Sequence, residues 1–138
     1  MTRALDVSLF VANVLFQKLA GSEIVQGWSA QVIYEIRVYE AVEGKADAMR
    51  SRFKDEVIPR MPRHGIELVG AFVSPVEDGK LTYLTRFPSE EARQKSWASF
   101  GSDPEWKSVK AASEAEGPLL RHQTVTVLSP AWSGLQLQ

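Results

Sequence analysis

The chain has no cysteine among its 138 residues. That excludes disulfides, thiolate catalysis and cysteine-ligated zinc or iron–sulfur centres. It also fits a reducing, cytoplasmic setting. There is no surplus of either charge: the formal net charge is −1. A basic footprint for nucleic acid or anionic lipid is therefore missing. No apolar run reaches the roughly 18–20 residues a membrane helix needs, so no integral membrane segment is expected. The N-terminus resembles a signal peptide only superficially. Asp6 and Asn13 interrupt its apolar stretch, and Arg3 is its sole basic flank. A cleaved leader is not expected. Phosphate-cradling glycine loops and the serine elbow of hydrolases are also missing.

What is present is enough apolar material for one core. Hydrophobic residues make up 44% of the chain, and its length suits a single domain. Three regions differ in character. Residues 1–30 form an extension in which Leu5, Leu9, Ala12, Phe16 and Leu19 recur at spacings of four and three. Such spacing makes one apolar helical face, and Gly21-Ser22 would end the helix. Residues 31–130 carry the domain, and residues 131–138 read as a loose tail.

Within the domain, Val32 to Tyr39 alternates and predicts a strand. A helix follows over about 45–63, with an apolar stripe of Ala46, Met49, Phe53, Val57 and Met61. Pro59 and Pro62 weaken its last turns, and Gly65 ends it. Ile66 to Ser74 reads as a second strand, with Gly70 marking a bulge or close approach. Glu77-Asp78-Gly79 turns into a third strand, Leu81 to Phe87. Ser89-Glu90-Glu91 opens a second helix, and Gly101 breaks it. Asp103-Pro104-Glu105 starts a short helix bearing Trp106. Arg121 to Leu128 is the last strand. The order predicts an α+β fold, a ferredoxin-like βαββαβ unit with a four-stranded antiparallel sheet. Helices cover one face of such a sheet. The bare face is expected to carry Ile33, Glu35, Arg37 and Tyr39, and a bare face of that size calls for a partner.

From Tyr34 to about Pro130 the chain resembles the NIPSNAP family of the dimeric α+β barrel superfamily. The resemblance rests on the order of several pieces. These are Tyr34-Glu35-Ile36-Arg37-Val38-Tyr39, Glu43-Gly44-Lys45, Val57-Ile58-Pro59, His64-Gly65, Leu68-Val69-Gly70, Tyr83-Leu84-Thr85-Arg86-Phe87 and Asp103-Pro104-Glu105-Trp106. Thr85, where an aromatic is common, and the N-terminal extension depart from the pattern. The resemblance implies a homodimer whose two sheets close into a barrel with an inner pocket, and it names no reaction.

Glu35, Arg37 and Tyr39 share one side of their strand and are the leading candidates for chemistry. A buried Glu–Arg pair beside a phenol would bind a polar ligand or tune a carboxylate for base work, and it would equally serve as a structural ion pair. His122 would join them in a barrel pocket, as a base or haem ligand. His64 reads as a cap on the first helix, and Trp97 and Trp106 as packing anchors. No metal site and no cofactor is expected. Two readings stand: a homodimer that binds a small molecule or a protein partner, and a cofactor-free monooxygenase or isomerase working in the barrel pocket.

Overall fold

The computed structural model describes residues 31–135 and Leu137. The expected N-terminal helix lies outside the described residues. Strand β1 (Ile33–Ala41) leads into a long helical run, α1. This run is α-helical over Ala46–Arg52, widens into a π-helical turn at Phe53–Val57, resumes over Ile58–Arg60 and tightens to a 3-10 turn at Met61–His64. Strands β2 (Glu67–Phe72) and β3 (Lys80–Phe87) form a hairpin. Helices α2 (Glu90–Ser102) and α3 (Pro104–Ser113) follow, and β4 (Leu120–Leu128) completes the sheet. The strand order is β2-β3-β1-β4, with every neighbouring pair antiparallel. This is the α+β, βαββαβ architecture expected from the order of elements.

The irregular α1 has a sequence cause. Met49, Phe53, Val57 and Met61 are all buried in the core, four residues apart each time. Steps of four overshoot an α-helical turn by about 40°, so the stripe would rotate away from the sheet. The wide π turn at Phe53–Val57 brings it back. Pro59 lies just beyond that turn and cannot donate the backbone bond a regular helix requires there. Gly65 closes α1 with φ +75°, a left-handed conformation suited to glycine.

The caps behave as read. Ser89 accepts from the Ala92 N–H at 3.0 Å, and Asp103 accepts from the Glu105 N–H at 2.9 Å. Gly101 does not break α2, which continues to Ser102; a single glycine costs only about 1 kcal/mol and is tolerated near a helix end. The β2–β3 register shifts between Leu68 and Gly70, as the glycine suggested. At Gly70 a Cβ would stand 2.8 Å from the Phe72 ring.

Register fixes which face is covered. β1 pairs with β3 so that Ile33, Glu35, Arg37 and Tyr39 lie opposite Phe87, Thr85, Tyr83 and Leu81. Leu81, Tyr83, Thr85 and Phe87 are buried, and Leu81, Tyr83 and Phe87 pack in one core with Met49, Phe53 and Phe100 from the helices. Directly paired residues share a face. Glu35, Arg37 and Tyr39 therefore point toward the helices. The expectation that they line the bare face is corrected. The bare face carries Tyr34, Ile36 and Val38 of β1, with Leu84 of β3 and Thr124, Thr126 and Leu128 of β4. Its Tyr34 end is met by the C-terminal tail: the Leu137 N–H donates to the Tyr34 hydroxyl at 2.9 Å, and Arg86 donates to the Leu137 carbonyl at 2.8 Å.

Candidate functional site

β1 holds Glu35, Arg37 and Tyr39 in a row on the helix side of the sheet, and α2 lies above them. On α2, Arg93 and Trp97 are four residues apart and so share one helical face. Both reach the Glu35 carboxylate: Arg93 Nη1 donates at 2.5 Å and Trp97 Nε1 at 2.6 Å. Arg37 Nε donates to the same carboxylate at 2.9 Å. Glu35 is 0% exposed. A charge so far from water persists only when fully paired, and here two guanidinium groups and an indole pair it. Arg93 is shared with Glu90, which accepts from its Nε and Nη2 at 2.8 Å each.

Arg37 and Arg93 are about equally accessible, their side chains 15% and 16% exposed, and Arg37 pairs with Glu35 of the same chain. Its guanidinium carbon stands 3.9 Å from the centre of the Trp97 ring. Trp97 thus backs one face of the guanidinium plane, a favourable cation–π arrangement. Burial opposes the Arg37 charge, while Glu35 and the flanking tyrosines favour it, and its pKa ends above the ordinary arginine value.

Next along β1, the Tyr39 hydroxyl lies 2.8 Å from the Tyr83 hydroxyl. Tyr83 is 0% exposed, and Phe53 from the π turn packs on it at 4.6 Å between ring centres. Burial and the neighbouring Tyr39 push the Tyr83 pKa well above the ordinary phenol value, so Tyr83 stays protonated. Among the described residues, Tyr39 is the one hydrogen-bond partner of the Tyr83 hydroxyl. If Tyr83 only accepted, its own proton would be buried without an acceptor. Tyr83 therefore donates and Tyr39 accepts. The Tyr39 proton then has no acceptor among the described residues, on a half-buried side chain.

The edge strand completes the surroundings. Val127, Val125 and Gln123 of β4 pair with Glu35, Arg37 and Tyr39, so they share the helix side of the sheet. They form an open flank beside the Arg37 guanidinium. His122 is not among them. It pairs with Glu40 on the opposite, bare face, one residue out of phase with Gln123. The expectation of one pocket uniting Glu35, Arg37, Tyr39 and His122 is therefore corrected: the sheet separates His122 from the other three.

Sequence reading missed Tyr83, Arg93 and Trp97. A signal for α2 was available, since a cation and an indole at i, i+4 above a strand carrying Glu invite pairing. Trp97 does pack as an anchor, at 5.7 Å from Phe100, and it is also a donor. His64, expected to cap α1, instead turns its ring to the next helices: its Nδ1 lies 2.7 Å from Ser99 Oγ and its Nε2 lies 2.9 Å from Asp103 Oδ2. It ties the end of α1 to the α2–α3 elbow. Among the described residues, no cluster of histidines and acids is arranged to hold a metal ion, and no helix is long and apolar enough to cross a membrane.

The NIPSNAP family model matches residues 34–133. The chain belongs to the NIPSNAP family. Its solved relatives include a NIPSNAP family protein of unknown function from Agrobacterium tumefaciens, 28% identical with a TM-score of 0.64, matched over 78% of this chain and 96% of that one. An uncharacterised NIPSNAP-like domain protein from Burkholderia xenovorans is 23% identical with a TM-score of 0.66, over 79% of this chain and 93% of that one. SnoaB, described as a cofactor-independent oxygenase from Streptomyces nogalater, shares the fold at 13% identity and a TM-score of 0.53, over 78% of this chain and all of its own. A comparison with curated proteins gives no match. The NIPSNAP match accounts for β1 to β4 and leaves residues 1–33 outside it.

Proposed function

We propose that this NIPSNAP protein is a homodimer that binds one small, planar, oxygen-bearing molecule per subunit on the helix side of each sheet. The observation that carries the reading is the Arg37 guanidinium seated over the Trp97 ring, with the Tyr39 hydroxyl next along the same face of β1. A guanidinium fixed in plane on one side offers its other face to a flat, electron-rich ring. The Tyr39 hydroxyl supplies one directed hydrogen bond to a carbonyl, phenolate or similar oxygen. Val125 and Val127 supply the apolar wall that small-molecule sites usually need. Two subunits would meet through Ile36, Val38 and Leu84, in keeping with the sheet-to-sheet barrels of the superfamily. This reading needs no cofactor, and it takes the protein to be cytoplasmic, which a cysteine-free chain allows.

The second reading is a cofactor-free oxygenase or isomerase. The description of SnoaB favours it, and so does the pairing of a cation with a phenol, which suits a developing enolate. It lacks a base. Glu35 spends its oxygens on three donors, and His122 stands across the sheet. Binding is therefore the better-supported role, with Glu35 as the anchor that positions Arg37 and Trp97.

Titration with 9-fluorenone, followed by tryptophan fluorescence, tests the reading. Saturable quenching is expected in the wild type, with at least tenfold weaker binding in Arg37→Met and Tyr39→Phe. Equal binding by all three would place the ligand elsewhere. Turnover of an activated aromatic ketone that vanishes in Tyr39→Phe would move weight to the enzyme reading.

A further inference from the structure

His64 comes from the end of α1, and Ser99 and Asp103 come from the α2–α3 elbow. Their contacts form a line. Ser99 Oγ lies 2.7 Å from His64 Nδ1, and His64 Nε2 lies 2.9 Å from Asp103 Oδ2. The proton positions follow. Hydrogen bonds from His64, and then from the Glu105 backbone, hold the Asp103 carboxyl below its ordinary pKa. Asp103 is therefore an ionised acceptor, and a neutral His64 carries its proton on Nε2. Nδ1 is left as an acceptor, so Ser99 donates to it. Asp103 is itself held, because its Oδ1 caps α3 through the Glu105 N–H at 2.9 Å. Phe100 meets the His64 ring edge-on, 5.4 Å between centres. The His64 and Asp103 side chains are only 13% and 15% exposed, whereas Ser99 is exposed.

We infer that Ser99 is a nucleophile that accepts acyl groups from small esters, with His64 as its base and Asp103 as the positioning residue. A hydroxyl, a base that takes its proton and a carboxylate that orients the base are the groups acyl transfer uses. The ring nitrogens are exchanged relative to the usual serine triad, in which Nε2 faces the serine. Either imidazole nitrogen serves as base once the other is held. In the reaction, Ser99 Oγ bonds to the acyl carbon as its proton passes to His64 Nδ1. The ester C–O bond breaks, and the departing oxygen takes that proton. Water then repeats the sequence on the Ser99 ester, which frees the acid and restores the serine. The surroundings set the acyl class. Ser96, one turn before Ser99 on the same face, has its Oγ 3.5 Å from the Gly65 carbonyl. Gly65 lines a groove of about 560 Å³ with Ile58, Met61, Pro62, Ile66 and Leu68, which suits a short apolar chain. The backbone N–H groups around Ser99 are engaged within α2 and form no oxyanion hole, so turnover is slow. With an aryl ester, whose leaving group departs readily, acylation outruns deacylation and the acylated protein accumulates. None of Glu35, Arg37, Trp97 or Tyr39 takes part, so the two sites stand or fall separately.

Treatment of the full chain with para-nitrophenyl butyrate, followed by intact mass and peptide mapping, is the test. The wild type is expected to take one butyryl group, on Ser99. Ser99→Ala should lose that adduct and keep its fold, since the side chain is exposed. His64→Gln should acylate Ser99 at least about tenfold more slowly. Asp103→Asn keeps a good capping residue for α3 but removes the charge. It should slow Ser99 acylation by at least about tenfold as well, with circular dichroism and the background acylation of lysines unchanged. Nitrogen NMR gives a separate reading: the neutral His64 ring should carry its proton on Nε2 in the wild type and lose that preference in Asp103→Asn. Butyryl groups spread over lysines with none on Ser99 would overturn the inference. So would equal rates of Ser99 labelling in the wild type and His64→Gln, or a neutral His64 with its proton on Nδ1.

Discussion

The Arg37 guanidinium carbon lies 3.9 Å over the Trp97 ring while its Nε is bound to Glu35, to which the Trp97 indole also donates. The two side chains are thus fixed against each other by one buried carboxylate. Removing that carboxylate leaves Arg37 uncompensated and deprives Arg93 of one of its two acidic partners. Glu35→Ala is expected to cost about 3–5 kcal/mol in urea-induced unfolding, the usual penalty for stripping one partner from a buried ion cluster. A loss below about 1 kcal/mol would mean that Glu35 does not hold the site together.

The two tyrosines should respond unequally. Tyr39→Phe leaves the fully buried Tyr83 hydroxyl without a partner and should cost about 1–3 kcal/mol. Tyr83→Phe leaves the Tyr39 hydroxyl, which is partly exposed and finds water, so its cost should be smaller. The double variant should cost less than the sum of the two, and unfolding of all four proteins completes the cycle. Simple additivity would contradict a Tyr83-to-Tyr39 hydrogen bond.

Acid should weaken the fold through specific carboxyls. Arg93 holds the Glu90 carboxyl down to about 2 from an ordinary 4.5. The hydrogen bond from His64, with help from the Glu105 backbone, lowers Asp103. A carboxyl lowered by folding adds stability that is complete above its unfolded pKa and is lost as pH falls through the folded value. Thermal midpoints should therefore decline as pH falls from about 4.5 toward 2, and Glu90→Gln should flatten that decline. An unchanged slope in Glu90→Gln would reject the Arg93 pairing as its source.

Two glycines offer a contrast in backbone physics. Gly65 has φ +75° and would set a Cβ 3.2 Å from Ser96 Oγ, so Gly65→Ala should cost about 1 kcal/mol or more. At Gly70 the clash is with the ring of Phe72, an exposed side chain free to swing away. Gly70→Ala should therefore be the milder change. The reverse order in thermal unfolding would show that the Phe72 ring is pinned.

The pattern of strands, caps and the α1 stripe was legible because each signal is local. Ser89 and Asp103 cap the helices they precede, and Met49, Phe53, Val57 and Met61 lie in the core as their spacing suggested. The face of β1 was not legible. Both of its sides mix apolar and polar residues, so alternation alone cannot choose between them. The choice is made by β3, where Leu81, Tyr83 and Phe87 match the Glu35 side, and by Arg93 and Trp97, which neutralise Glu35 from some 60 residues away. His122 does lie on the bare face, where a barrel pocket would need it, so the grouping failed on the β1 side alone: it is Glu35, Arg37 and Tyr39 that face the helices instead.

The most direct measurement is a native mass spectrum of the full chain with 9-fluorenone, in the wild type and in Arg37→Met. The expected result is a dimer carrying up to one fluorenone per subunit, and the same dimer without adduct in Arg37→Met. Because Arg37 lies on the helix side of the sheet, its loss should leave dimer formation through Ile36, Val38 and Leu84 intact. A monomer in both proteins, or equal fluorenone adducts in both, would contradict a dimer with its ligand site at Arg37 and Tyr39.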